Sequence, residues 1–157
     1  MILKPAIRDL RPDIDNLKNF QRWKAINGED FSPWDYLFRA SRAEVAIILA
    51  TLFCPEFIEY DGGIFLAEAF DQAIYQQWKQ QLGNDIKAIE KVMNHQHIDD
   101  LFSGSNRVGI NNLCYLGQAI RQMWENHLKL VYPHLRFVVC CEHDEDTVTV
   151  TFYQSYF

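Results

Sequence analysis

Residues 135–153, LRFVVCCEHDEDTVTVTFY, decide the fold. Two strand-prone runs flank the acidic stretch 142–146, and the second alternates strictly: Val148, Val150 and Phe152 against Thr147, Thr149, Thr151 and Tyr153. Successive strand side chains point to opposite faces, so this strand offers one face to a core and one to water or a partner. Upstream, Leu113, Leu116, Ile120, Met123, Trp124, His127, Leu128 and Val131 recur at helical spacing between about Asn111 and Pro133. That helix can lie on the core face of the hairpin, which should leave His127 at least half buried.

Working outward, Phe57 to Tyr60 and Ile64 to Ala67 flank Asp61, Gly62 and Gly63, a second hairpin signal. Isolated hairpins are marginally stable, so the two are expected to share one antiparallel sheet. Helices fill the remainder. One runs from Asp13 to Asn27 on Ile14, Leu17, Phe20 and Trp23. Ser32 and Pro33, with Asp35 in the first turn, start a short helix to about Ala40. Ser41 and Glu44 fit a capping box for a run to Phe53 that is apolar nearly all round, hence expected to be central and buried. Two more helices use Phe70, Ala73, Ile74 and Trp78, and Ile86, Ile89 and Met93, the latter reaching toward Leu101. The fold class is α+β: an antiparallel sheet of two β-hairpins with about five or six helices packed against it. Residues 1–157 form a single globular domain, with 1–12 an extended lead-in and 103–110 a flexible connector.

With 157 residues, 48% hydrophobic and 14% aromatic, the chain can bury a sizeable core. The net charge is −6 and the 15 basic residues never cluster, which argues against nucleic acid as partner. The segment 1–10 lacks the apolar core of a signal peptide, and 45–54 is shorter than the about 20 residues a membrane helix needs. A cytoplasmic location follows, with no membrane association. Cys54, Cys114, Cys140 and Cys141 lie in apolar segments, so free, mostly buried thiols are expected; Cys140 and Cys141, adjacent on a strand, point apart.

Candidate chemistry is sparse. His95, His97, Asp99 and Asp100 carry metal-ligand groups, but on a helix His95 and His97 lie about 200° apart, so no metal is expected. Cys140 and His143 face opposite ways on a strand, and Cys114 has no base at a useful spacing. Residues 104–109 match no phosphate-binding fingerprint. Trp34, Tyr36 and Phe38 with Arg39 and Arg42 fit either a contact patch or, the preferred reading, core aromatics beside surface charge. No cofactor is called for. An enzyme would need a site assembled from distant groups such as Glu44, Asp61, His95, Arg107 and His127.

The ending, 135–154 after the helix with Trp124, resembles small uncharacterised bacterial α+β proteins, and the general acidic make-up resembles immunity proteins of toxin systems. The resemblance covers the last third of the chain and carries over no residue roles. It gives fold-level analogy only. The lack of converging catalytic groups points to a non-catalytic cytosolic protein-binding module, an immunity-type antagonist in its sharpest form, and the acidic balance to a basic protein as partner, with oligomeric state open. The expected binding surface is the hairpin tip and its polar face: Asp144, Glu145, Asp146, Thr149, Thr151 and Tyr153. A small enzyme and a small-molecule sensor with an apolar cavity remain the alternatives.

Overall fold

The computed structural model describes residues 11–155, so all but the end of the expected lead-in lies outside it. The chain runs α1 (Lys18–Asn27), α2 (Pro33–Ala40), α3 (Ala43–Phe53), β1 (Phe57–Tyr60), β2 (Gly63–Leu66), α4 (Gln72–Leu82), α5 (Ile86–Met93), β3 (Gln96–His97), α6 (Ile110–Val131), β4 (Phe137–His143) and β5 (Val148–Gln154). The α+β class holds. The connector before α6 is two 3-10 turns, Asp99–Leu101 and Ser105–Arg107.

The C-terminal hairpin pairs as the alternation requires, with Val139 opposite Phe152 and Cys141 opposite Val150. Val148, Val150 and Phe152 are fully buried against Ile120, Trp124 and Leu128 of α6. The helix approaches the sheet at Gly117, where an added Cβ would sit 2.5 Å from Val148 Cγ1 and 3.0 Å from Cys141 Sγ. His127 is half-buried, its ring 5.5 Å from that of Phe57. Met123 and Val131, read as members of the stripe, are exposed.

The two hairpins do not share a sheet. β1 and β2 form one ladder, and β3, β5 and β4 form another in that order. Asp61, at φ 51°, and Gly62, at φ 82°, make the β1–β2 turn in the left-handed conformation that a two-residue hairpin needs. Between the ladders, the side chains of Glu90 on α5 and of Asn94, the residue capping its C-terminal end, take the place of a strand pairing. Glu90 accepts from Ile64 N (2.7 Å) on β2 and from Gln154 N (2.7 Å) and Gln154 Nε2 (2.7 Å) on β5. Asn94 accepts from Leu66 N (3.0 Å) and donates to Ile64 O (2.9 Å) and Phe152 O (3.3 Å). Both side chains are fully buried. Backbone groups left without a ladder must find partners elsewhere, and here a helix supplies them. Burial pushes the Glu90 carboxyl above the ordinary carboxylate range, against the pull of its donors.

Helix ends follow local chemistry where it is free to act. Ser32 and Asp35 form the reciprocal capping box of α2 with Pro33 at its start, and the Ser32 hydroxyl and N–H hold the Asp35 carboxyl below its usual value. The box expected at Ser41 and Glu44 does not form. Ser41 closes α2, leaving Arg42 alone to lead into α3. On α4 the inward residue is Tyr75, fully buried, whereas Ile74 is exposed. α5 stops at Met93; the segment beyond it is extended and pairs Gln96 and His97 with Val150 and Thr149.

The largest departure is α3. None of its residues is buried, and Val45, Ile47 and Ile48 are 48%, 66% and 64% exposed. Its C-terminal end does reach the core: Leu52 and Phe53 pack there, and Trp124 Nε1 donates to Leu52 O at 2.7 Å. An apolar sequence reports what a helix would gain by burial, not whether a neighbouring layer exists on each side. Cys54, just past α3, is exposed rather than buried; Cys114 and Cys140 are half-buried, Cys141 is buried, and all four are free thiols. No helix among the described residues is long and apolar enough to cross a membrane.

Candidate functional site

The structure separates the expected binding surface into two parts. Glu142, Asp144, Glu145 and Asp146 are exposed at the β4–β5 turn, which closes through Asp144 N donating to Thr147 O. The polar face of β5 is not open in the same way, because β5 is the central strand of its sheet and α5 lies over that face. Thr151 is buried, its hydroxyl donating to Lys91 O at 2.7 Å. Thr149 and Tyr153 are half-buried, with Lys87 Nζ 5.2 Å from the Tyr153 ring centre. The expectation of a free polar face is corrected accordingly: Thr151 is closed off, Thr149 and Tyr153 are partly open, and the tip is exposed.

The histidine cluster changes character because its segment is extended. The His95 and His97 rings stand edge to face at 5.0 Å, and ligand atoms of His97, Asp99 and Asp100 lie within 4.8 Å of one another. That set has the donor chemistry for a divalent cation. One oxygen of Asp99 is already engaged by Val148 N (3.1 Å), and local desolvation together with the neighbouring His97 lowers the His95 pKa. Of the dispersed ionisable groups, Glu44, His95 and Arg107 are exposed. Asp61 is held by the Tyr75 hydroxyl (2.6 Å) and the Lys79 ammonium, both of which lower its pKa. Asp61 lines a hollow beside the β1–β2 turn, and none of the five lines the apolar cleft beneath α3.

The feature that sequence reasoning undervalued is the outer face of α2 and α3. Phe20, Trp23, Phe31 and Tyr36 make a small aromatic core between α1 and α2: Trp23 stacks on Phe31 at 6.2 Å, and Tyr36 meets Phe20 edge-on at 5.7 Å. That cluster and the capping box fix the orientation of α2. Tyr36 is thus a core aromatic, as preferred, but Trp34, Leu37 and Phe38 on the opposite face are 82%, 54% and 89% exposed. Spacings of three and four residues place them on one stripe. Together with Val45, Ile47 and Ile48 of α3, six large apolar side chains stand open to solvent on consecutive helices. Burying a large apolar side chain is worth about 1.5–3 kcal/mol, so Trp34 and Phe38 alone hold about 3–6 kcal/mol of unused driving force. The sequence signal was present in the 34–37–38 spacing. Trp34, Tyr36 and Phe38 read together as core aromatics instead, because nothing in the sequence shows on which side of α2 Phe20 and Phe31 would lie.

Charge divides unevenly as well. Residues 54–157 carry fourteen Asp and Glu against seven Lys and Arg, whereas residues 1–53 carry seven against eight. The acidity belongs to the part of the chain that builds the sheets, and the exposed apolar helices bear Arg39 and Arg42.

Comparison with known proteins gives a family. The chain belongs to the uncharacterized protein PM0498 family, whose model matches residues 37–156. No curated protein and no solved structure matches it. The match takes in α3 to β5 and starts within α2, so Trp34 and the aromatic cluster of α1 precede it.

Proposed function

We propose that the protein is a binding module that docks another protein through the outer face of α2 and α3. The observation that carries this reading is the exposure of Trp34, Leu37 and Phe38 on a helix fixed by its own cap and by aromatic packing on its other side. Soluble monomers rarely expose contiguous apolar surface without a use, and Trp, Phe and Arg are residue types enriched at interfaces. In its sharpest form the partner is a basic toxin that the protein antagonises. The acidic excess of residues 54–157 and the exposed tip at 142–146 favour that form, since complementary charge steers encounter.

Site-specific photo-cross-linking in the source cells tests the docking face. Benzoylphenylalanine at position 38 replaces one exposed aromatic ring with another and should trap one discrete protein adduct. The same group at Gln80, an exposed position on α4, should not. Equal labelling from both positions, or none from position 38, refutes the proposal.

A further inference from the structure

A cleft of about 300 Å³ opens beneath the C-terminal half of α3. Its wall is hydrocarbon: Ile48, Leu49, Leu52 and Phe102, with the Trp124 indole, only 1% exposed. An apolar cavity of about 150 Å³ can stay dry and take up benzene, so a space of this size has room for a ligand of about twice that bulk.

The polar groups of the lining decide what kind of ligand fits. Two are already spent within the fold. Trp124 Nε1 donates to Leu52 O, and the Thr51 hydroxyl donates to Ile48 O at 2.7 Å. The remaining lining residues with polar side chains are Glu68, which is exposed, and Gln96. Glu68 makes no ion pair among the described residues, and the surrounding chain from residue 54 onward carries twice as many acids as bases. Such a site holds an apolar body by burial and selects the head group by charge.

We infer that the cleft beneath α3 is a binding site for a small apolar amine, its hydrocarbon body against Trp124 and Phe102 and its ammonium group on the Glu68 carboxylate. A neutral alcohol of the same chain would keep the burial and lose the ion pair. A carboxylate would keep the burial and meet repulsion. The cleft borders the proposed docking face at Ile48, but Trp34, Leu37 and Phe38, which carry that proposal, do not line it.

Titration of the full chain with n-octylamine, 1-octanol and octanoate, followed by nuclear magnetic resonance of ¹⁵N-labelled protein, tests this. The Trp124 indole N–H, fixed by its bond to Leu52 O, is the reporter. Octylamine should shift that resonance saturably and bind at least about tenfold more tightly than octanoate, the discrimination a charge-assisted contact gives. Glu68→Gln should erase the difference between amine and carboxylate while leaving 1-octanol unchanged. Ala69→Phe, at an exposed position on the cleft rim, should fill the space and weaken all three. No saturable shift of the Trp124 signal overturns the inference. So does equal affinity for amine and carboxylate in the unaltered protein, or amine binding that survives both substitutions.

Discussion

Glu90→Gln is the most revealing single change, because it keeps the shape of the side chain and alters only its hydrogen-bonding sense. All three partners of Glu90 are donors: Ile64 N, Gln154 N and Gln154 Nε2, each at 2.7 Å. A glutamine offers one acceptor oxygen and one NH2 group, so at least one contact becomes donor against donor. An unsatisfied buried donor costs about 1–3 kcal/mol. Expected destabilisation is about 2–4 kcal/mol for Glu90→Gln, and about 3–5 kcal/mol for Glu90→Ala, which leaves two backbone N–H groups without partners. Against a total stability of about 5–15 kcal/mol either loss is large. Urea unfolding at pH 7, followed by circular dichroism, measures it. The pH dependence gives a second readout. Burial raises the folded-state pKa of Glu90, so the folded protein holds that proton more tightly than the unfolded chain. The Glu90 contribution is greatest below the unfolded carboxyl pKa and falls as pH rises through the raised folded value. The gap between the parent protein and Glu90→Gln should therefore narrow with rising pH. A Glu90→Gln protein within about 0.5 kcal/mol of the parent, a range typical of surface changes, would refute the idea that α5 side chains join the two ladders.

Other expectations follow from the same coordinates. Gly117→Ala gains helix propensity but forces a Cβ against Val148 and Cys141, so a net loss of about 1–3 kcal/mol is expected, and that loss should largely vanish in a Val148→Ala background; thermal unfolding of the parent, the two single variants and the double variant checks it. Ser32→Ala removes the α2 cap and should cost about 1 kcal/mol, with increased amide exchange confined to the start of that helix. Asp61, whose pKa is lowered by Lys79 and Tyr75, contributes stability that is present above its unfolded pKa and lost as pH falls through the lower folded value. Asp61→Asn should flatten that acid limb of the stability profile. Thiol titration of the native protein should find Cys54 reacting first and Cys141 last, and a disulfide between Cys140 and Cys141 would contradict the strand geometry.

Where periodicity and local chemistry act without competition, the sequence is legible. The β5 alternation, the α6 stripe around Trp124 and the Ser32–Asp35 cap all appear as their residue types require. The failures share a cause. Glu90 and Asn94 look like surface residues of α5, because the backbone donors and acceptors that need them come from residues 64–66 and 152–154. Ser41 has the right partner three residues on, yet its place is taken as the end of α2. α3 has the composition of a buried helix, and only the tertiary arrangement reveals that one side has no covering layer among the described residues. For the site, the acidic tip was visible in the sequence. The exposed face of α2 was visible only as a group of aromatics, Trp34, Tyr36 and Phe38, that sequence could not divide into a buried and an open side.

The affinity of the complex with the cross-linked partner, purified and measured for three forms of the protein, tests the docking face most directly. The Trp34→Glu/Phe38→Glu variant should retain its circular dichroism spectrum, since both side chains are solvent-exposed, and bind at least about a hundredfold more weakly, as loss of two central aromatic anchors implies. The Asp144→Lys/Glu145→Lys/Asp146→Lys variant should associate more slowly, with a weaker salt dependence, and keep its dissociation rate. Unchanged affinity in the α2 variant, with binding abolished in the tip variant, would contradict the account and move the interface to the β4–β5 turn.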